Sequence, residues 1–219
     1  PYFGKEIKEI LPVVLPHKSD SASLDMVVEL LLMSGRSLPE VMMMLVPEAW
    51  ERNENMSEDK RAFYEYHSCV MEPWDGPASI PFTDGDYIGA LLDRNGLRPS
   101  RYSVTKDGYV IMSSETGVVD VEVENIAYHG RLEPGKMFLV NMKEGRIVED
   151  EEIKSKISSK HDYKTWVSEN LIYLKDIPYN KMPALKEPSS LEERAAFFGY
   201  TREDINTIIL PMASQGKEP

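Results

Sequence analysis

The chain has 219 residues, 42% of them apolar and 28% charged, enough to bury a core as one large domain or one domain plus a further piece. Its net charge of −12 excludes a phosphate-backbone partner, which would require a basic face, so no nucleic acid is expected. No window approaches the roughly 18 apolar residues that cross a bilayer, and the first residues lack the pattern of a secretory signal. The single cysteine, Cys69, excludes an internal disulfide framework and points to the cytoplasm or an organelle stroma.

In chain order, the start is abrupt. Pro1-Tyr2-Phe3 precede an apolar stretch, Ile7 to Leu15, interrupted by Pro12 and closed by Pro16, and the expectation is a chain that begins inside a larger domain. Next comes Lys18-Ser19-Asp20-Ser21-Ala22-Ser23-Leu24-Asp25, a run of hydroxyls and carboxylates before a helix predicted from about Leu24 to Ser34. Two readings are open for it. Ser21 or Ser23 is the N-cap of that helix, or Asp20 lies on the loop just before it and points its carboxylate at a bound cation such as a ligand ammonium.

A second helix opens with Ser37-Leu38-Pro39-Glu40, which reads as a capping box, and ends before Pro47; Met42, Met43 and Met44 read as core filling. A third runs from Ser57 or Glu58 to Met71. Residues two apart on a helix face away from each other, so His67 and Cys69 cannot act as a pair. Cys69 is expected to be a small buried residue.

After Glu72 to Pro77 the pattern changes to strands. Ala78 to Thr83 and Tyr87 to Leu92 flank the turn Asp84-Gly85; Arg101 to Thr105 and Tyr109 to Ser113 flank Lys106-Asp107-Gly108; Met137 to Asn141 and Arg146 to Val148 flank Glu144-Gly145. The expectation is a meander of short hairpins in an antiparallel arrangement and, with the helices, an α+β fold. Glu151 to Ile157 and Asp162 to Leu174 read as helices, the second docked by Trp166. Pro178, Pro183 and Pro188 mark a linker over 176–190, and Thr201-Arg202-Glu203-Asp204 opens a last helix with Ile205, Ile208 and Ile209 on one stripe.

The chemistry legible from residues alone is sparse. The four histidines are scattered, one cysteine cannot build a thiolate cage, and no metal site is expected. There is no phosphate-cradling glycine loop and no serine in a nucleophile elbow.

Longer blocks carry a resemblance. Ser19-Asp20-Ser21-Ala22-Ser23, Leu30 to Pro39, Pro47-Glu48-Ala49-Trp50, Phe63 to His67, Met71 to Ala78, Leu92 to Tyr102, Gly135 to Val140 and Phe198 to Thr201 resemble, in this order, the large subunit of glutamate synthase. The resemblance implies that residues 1–175 are the later part of a class II glutamine amidotransferase domain. Such a domain is an N-terminal-nucleophile hydrolase with a four-layer αββα sandwich of antiparallel sheets and flanking helices. Residues 176–190 would be a linker, and 191–219 the helical start of the central domain.

In that family an N-terminal cysteine attacks the carboxamide of glutamine, and the released ammonia reaches 2-oxoglutarate with electrons from FMN and iron–sulfur centres. Ferredoxin or a nicotinamide-linked small subunit supplies those electrons. Position 1 is Pro, with neither thiol nor primary amine, and the family's Asn-Gly oxyanion hole lies in a segment preceding residue 1. No catalytic residue and no cofactor site is therefore expected within these residues, and hydrolysis by them alone is not expected. What carries over is Asp20, matching the aspartate that pairs with the α-ammonium of glutamine, with Ser19 and Ser21 shaping the same loop. Arg94, Asn95 and Arg98 read as structural. One ammonium contact contributes only about 1–3 kcal/mol, so weak or absent glutamine binding is expected. Two alternatives are a separate binding or scaffold subunit that completes a glutaminase site with another chain, and a structural pseudo-domain without ligand.

Overall fold

The computed structural model describes residues 4–178, 190–216 and 218. The contacts divide the chain into two compact units, Pro1–Leu171 and Ile172–Pro219.

In the first unit, α1 spans Asp20–Met33 and begins four residues before the expected Leu24. The polar run that reads as a loop is its first turn. Ser19 is the N-cap, its Oγ accepting from the Ala22 amide at 3.2 Å, while the Ser23 hydroxyl donates to the Ser19 carbonyl at 2.9 Å. The cap thus falls on Ser19 and not on Ser21 or Ser23.

Helix α2 (Leu38–Leu45) has Ser37 at its N-cap but without the expected side-chain cap bond. Glu40 is buried and instead receives the Lys160 ammonium at 2.8 Å, with Arg36 at 4.0 Å. A partner from 120 residues along the chain has displaced the local motif. Met42, Met43 and Met44 are buried, as core filling requires. Helix α3 (Glu58–Val70) is capped by Ser57. On it His67 is buried while Cys69 is exposed, which corrects the expectation of a buried thiol. The residue two positions from a core-facing one points outward on a helix.

The three expected hairpins form: β1 (Ser79–Thr83) with β2 (Tyr87–Leu92), β3 (Arg101–Thr105) with β4 (Val110–Ser113), and β6 (Met137–Asn141) with β7 (Arg146–Val148). They do not join into one meander. β2 pairs with β6, and a strand that the hairpin pattern misses, β5 (Ile126–Arg131), pairs with β3. The result is a four-stranded sheet ordered β1-β2-β6-β7 and a three-stranded sheet ordered β4-β3-β5. β5 has a weak signature because Gly130 and His129 dilute its apolar alternation.

Alternation along the strands sends one face of the four-stranded sheet to the helices and the other to the second sheet. Ile80, Phe82, Leu91, Met137, Leu139 and Val148 pack with α1, α2, α3 and α4 residues in the main core. Ala90, Leu92 and Phe138 face the other way, joining Leu132, Tyr102 and Met112; the Tyr102 and Phe138 rings are 4.4 Å apart. Helices, sheet and second sheet follow one another, the α+β arrangement expected from the sequence.

Helix α4 (Asp150–Ser158) is held by charge. The buried Lys154 ammonium donates to the Gly135 carbonyl at 2.6 Å and meets Glu48 Oε1 at 3.0 Å and Asp150 Oδ1 at 2.9 Å. Asp150 Oδ1 also accepts from the Met137 amide at 2.7 Å. Lys60 reaches Glu151 at 2.9 Å and Glu48 at 3.8 Å, and the Tyr64 hydroxyl donates to Glu48 at 3.0 Å. Burial, reinforced by the Glu48 carboxylate, pushes the Tyr64 hydroxyl well above the ordinary phenol range.

Helix α5 (Tyr163–Asn170) ends before the expected Leu174; a separate 3-10 turn occupies Leu174–Asp176. Trp166 docks against Tyr66, His161 and Tyr163. In the second unit, α6 (Leu191–Phe197) is followed by α7 (Arg202–Asp204), a π-helical turn at Ile205–Ile209 and α8 (Leu210–Gln215). Thr201 and Asp204 close a capping box. Most of the expected linker, at 179–189, lies outside the described residues.

Two substitutions test this architecture. A Cβ at Gly130 would stand 2.2 Å from the Tyr102 ring. Gly130→Ala is therefore expected to lower the unfolding free energy by about 1–3 kcal/mol, and the loss should shrink in a Tyr102→Ala background, as read by urea titration. Lys154→Met keeps the side-chain volume but strips the ammonium from Glu48, Asp150 and the Gly135 carbonyl; a loss of about 3 kcal/mol or more is expected in the same measurement.

Candidate functional site

Asp20 is the first residue of α1 and is exposed. Its position is helical, which corrects the expectation that it precedes the helix on a loop. Oδ1 accepts from the Ser21 amide at 2.8 Å. The other carboxylate oxygen has no protein partner among the described residues. The helix N-terminus itself favours an acid here, because the free amides and macrodipole place partial positive charge beside it. That electrostatic support leaves one oxygen free to accept from a bound cation.

Asp20 and Ser21 line a cleft of about 2080 Å³ that is also bordered by Trp74, Ile80, Tyr102 and Phe138. The cleft draws walls from both sheets, with the α1 N-terminus at its side. Ser19 is differently placed in chemical terms: its Oγ is engaged as the helix cap and lies 3.1 Å from the Ser21 Oγ. Of the three residues singled out, Asp20 and Ser21 border the cleft and Ser19 supports their turn.

The turn after β2 is structural. Asp93 is buried, with Oδ1 accepting from the Ala78 amide at 3.1 Å and Oδ2 from the Asn95 amide at 3.0 Å. Its carbonyl accepts from the amides of Gly96 and Gly135. Arg94 pairs with Asp75 at 2.7 Å, and Arg98 donates to the Pro77 carbonyl at 3.4 Å. Asp93 thereby fixes the entry to β1 at one wall of the cleft. The sequence signal for it is an acid placed directly after the apolar run of β2 and before Asn-Gly, the pattern of an Asx-stabilised turn.

The model for glutamine amidotransferases class-II matches residues 1–166. The chain belongs to this family. Among similar amidotransferase-containing proteins, the glutamate synthase [NADPH] large chain of Bacillus subtilis (strain 168) is 50% identical over 217 residues, 99% of this chain and 14% of that protein. The glutamate synthase [NADH] of Schizosaccharomyces pombe is 47% identical over 226 residues, 99% of this chain and 11% of that protein. The ferredoxin-dependent glutamate synthase 2, chloroplastic, of Arabidopsis thaliana is 43% identical over 221 residues, 100% of this chain and 13% of that protein. The chain thus spans well under a fifth of these relatives' lengths. They carry three different electron donors in their names, so the matched amidotransferase region is common to all three types.

No group of three or more His, Cys, Asp or Glu side chains is gathered to hold a metal among the described residues. An iron–sulfur cluster takes several thiolates, and the sequence has one cysteine, exposed on α3. The residues present do not fit such a cluster. No helix among the described residues is long and apolar enough to cross a membrane.

His67 is a buried titratable group whose protonation the fold disfavours. Burial among Phe63, Tyr66 and Tyr163 lowers its pKa from 6.5 to about 4, opposed by the Phe63 carbonyl at 2.8 Å and assisted by Arg36. The unfolded chain therefore binds more protons between pH 6.5 and about 4. The stability from the neutral imidazole is complete above that window and is lost as pH falls through it, by at most about 1.4 kcal/mol per pH unit. Urea titrations over this range should show a steeper loss for the unaltered chain than for His67→Gln.

Proposed function

We propose that this chain is part of the glutamine-hydrolysing domain of a glutamate synthase, and that Asp20 holds the α-ammonium of glutamine. The observation that carries the proposal is an acid at the α1 N-terminus, exposed in the cleft with one carboxylate oxygen unspent, in a chain of the class-II amidotransferase family. The glutamine ammonium would replace solvent at that oxygen, while the Ser21 amide holds the other one in place. Ser21 would shape the rim, and Ser19 would hold the turn.

In this reading residues 1–175 belong to the amidotransferase domain, 176–190 link it onward, and 191–219 begin the following domain. The attacking thiol, its amine base and the oxyanion donors come from outside these residues; Cys69, exposed on α3, supplies none of them. Glutamine hydrolysis would yield glutamate and ammonia, and the ammonia would pass to 2-oxoglutarate. FMN, an iron–sulfur centre and the ferredoxin or nicotinamide-linked partner would act in other parts of the protein. The compartment would be the cytoplasm or an organelle stroma.

The test uses the complete glutamate synthase carrying this segment. Asp20→Asn should raise KM for glutamine tenfold to a hundredfold, about 1–3 kcal/mol for a charged contact, and leave ammonia-dependent glutamate synthesis unchanged. An unaltered KM would remove Asp20 from the glutamine site. Residues 1–219 by themselves should show no glutaminase activity, and detectable hydrolysis would overturn the assignment of the nucleophile to outside residues.

A further inference from the structure

Asp93, directly after β2, is buried without a counter-ion. Glu40, likewise buried, meets the Lys160 ammonium at 2.8 Å. Asp93 is 2% exposed, and its partners among the described residues are all backbone groups. Its two carboxylate oxygens accept from the Ala78 amide at 3.1 Å and from the Asn95 amide at 3.0 Å. Its own amide donates to the Ala78 carbonyl at 3.2 Å. Its carbonyl accepts from the Gly96 amide at 3.0 Å and the Gly135 amide at 3.2 Å.

The turn alone does not require a carboxylate. Asparagine supplies the same turn-forming oxygen, but its amide nitrogen is a donor and would confront the second backbone N–H. A carboxylate accepts on both sides, at the cost of burying a charge with no cation beside it. What this group joins is the wall of the cleft. Ala78 and Ile80, Pro99 and Ser100 beyond the turn, and Lys136 and Met137 beyond Gly135 all line the cleft that Asp20 borders. Ile80 and Met137 also pack in the core with Leu24, one turn on from Asp20 in α1. The spacing between this wall and the Asp20 carboxylate is therefore set by that packing and by the bonds of Asp93.

We propose that Asp93 is a positioning residue for the glutamine pocket. Its carboxylate holds the Ala78 and Asn95 amides so that the cleft wall keeps the spacing from Asp20 at which one bound glutamine meets both. The proposal rests on Asp20 holding the glutamine ammonium. Asp93 touches no substrate itself; it acts through the backbone it fixes, and a wall fixed in advance loses less on binding than one that must be ordered by the ligand.

The complete glutamate synthase carrying this segment supplies the test. Asp93→Asn keeps the side-chain volume but leaves one acceptor in place of two, and should raise KM for glutamine roughly threefold to tenfold. Ammonia-dependent glutamate synthesis should be unchanged. A role confined to holding the turn would instead lower the amount of active enzyme, and with it both rates together, at an unaltered KM; that result overturns the proposal. Asp20→Asn, measured alongside, separates the two readings. If it leaves KM unaltered, both fall; if it raises KM while Asp93→Asn does not, Asp93 alone is removed. Hydrogen exchange on the unaltered enzyme covers the case in which Asp93→Asn fails to fold. Saturating glutamine, without 2-oxoglutarate or reductant, should slow exchange at the Ala78 and Asn95 amides roughly threefold or more, and unchanged exchange at both would overturn the proposal.

Discussion

The Lys154 ammonium joins parts of the chain that have no local reason to meet. Glu48 lies on the loop after α2, Gly135 on the turn before β6, and Asp150 at the start of Lys154's own helix, and all three converge on one nitrogen. An unpaired ammonium in that position would be intolerable, so the three segments can be dry together only in this arrangement. Asp150 extends the lock to the first amide of β6, and Lys60 and Tyr64 extend it to α3. The helical layer and the four-stranded sheet are registered against each other through this group. Specificity of arrangement is what such a buried network adds to the non-directional packing of Met42, Met43, Phe63 and Leu139 around it.

That registration has consequences at the cleft. The helices and β1 are held on one side of the four-stranded sheet, and Asp93 ties the entry of β1 to the same Gly135 turn. Asp20 then stands at the N-terminus of a helix whose Leu24, Val27 and Leu31 are sunk in the core. A carboxylate on a rigid, anchored helix end loses less on binding than one on a loop. The same Ser19 cap that starts the helix early is what gives Asp20 this rigidity. In the proposed reading, one turn of chain would combine a structural and a ligand-facing role.

The second sheet behaves differently. Its inward face is tied to the first sheet by Tyr102 over Gly130 and beside Phe138, while its outward face carries charge that nothing among the described residues neutralises.

Local chemistry settled much in advance. The hydrophobic periodicity of α1 to α3, the turn residues of the three hairpins, the methionine-filled core and the Thr201–Asp204 cap all follow from interactions a few residues apart, and they appear as read. The long matching blocks also carried the family and singled out Asp20, because identity of ordered side chains is a property of the sequence. Where distant partners compete with local ones, the reading failed. Glu40 left its capping box for Lys160, β2 took β6 and not β3 on its side away from β1, β5 formed on β3 despite a weak pattern, and Cys69 turned outward because His67 took the core side of α3. The meeting of Glu48 with Lys154, 106 residues apart, had no local signal at all. Sequence by itself fixed which segments could form and which family they belong to; only the tertiary structure decided which polar groups lose their water together, and that desolvation selects a single arrangement of the segments.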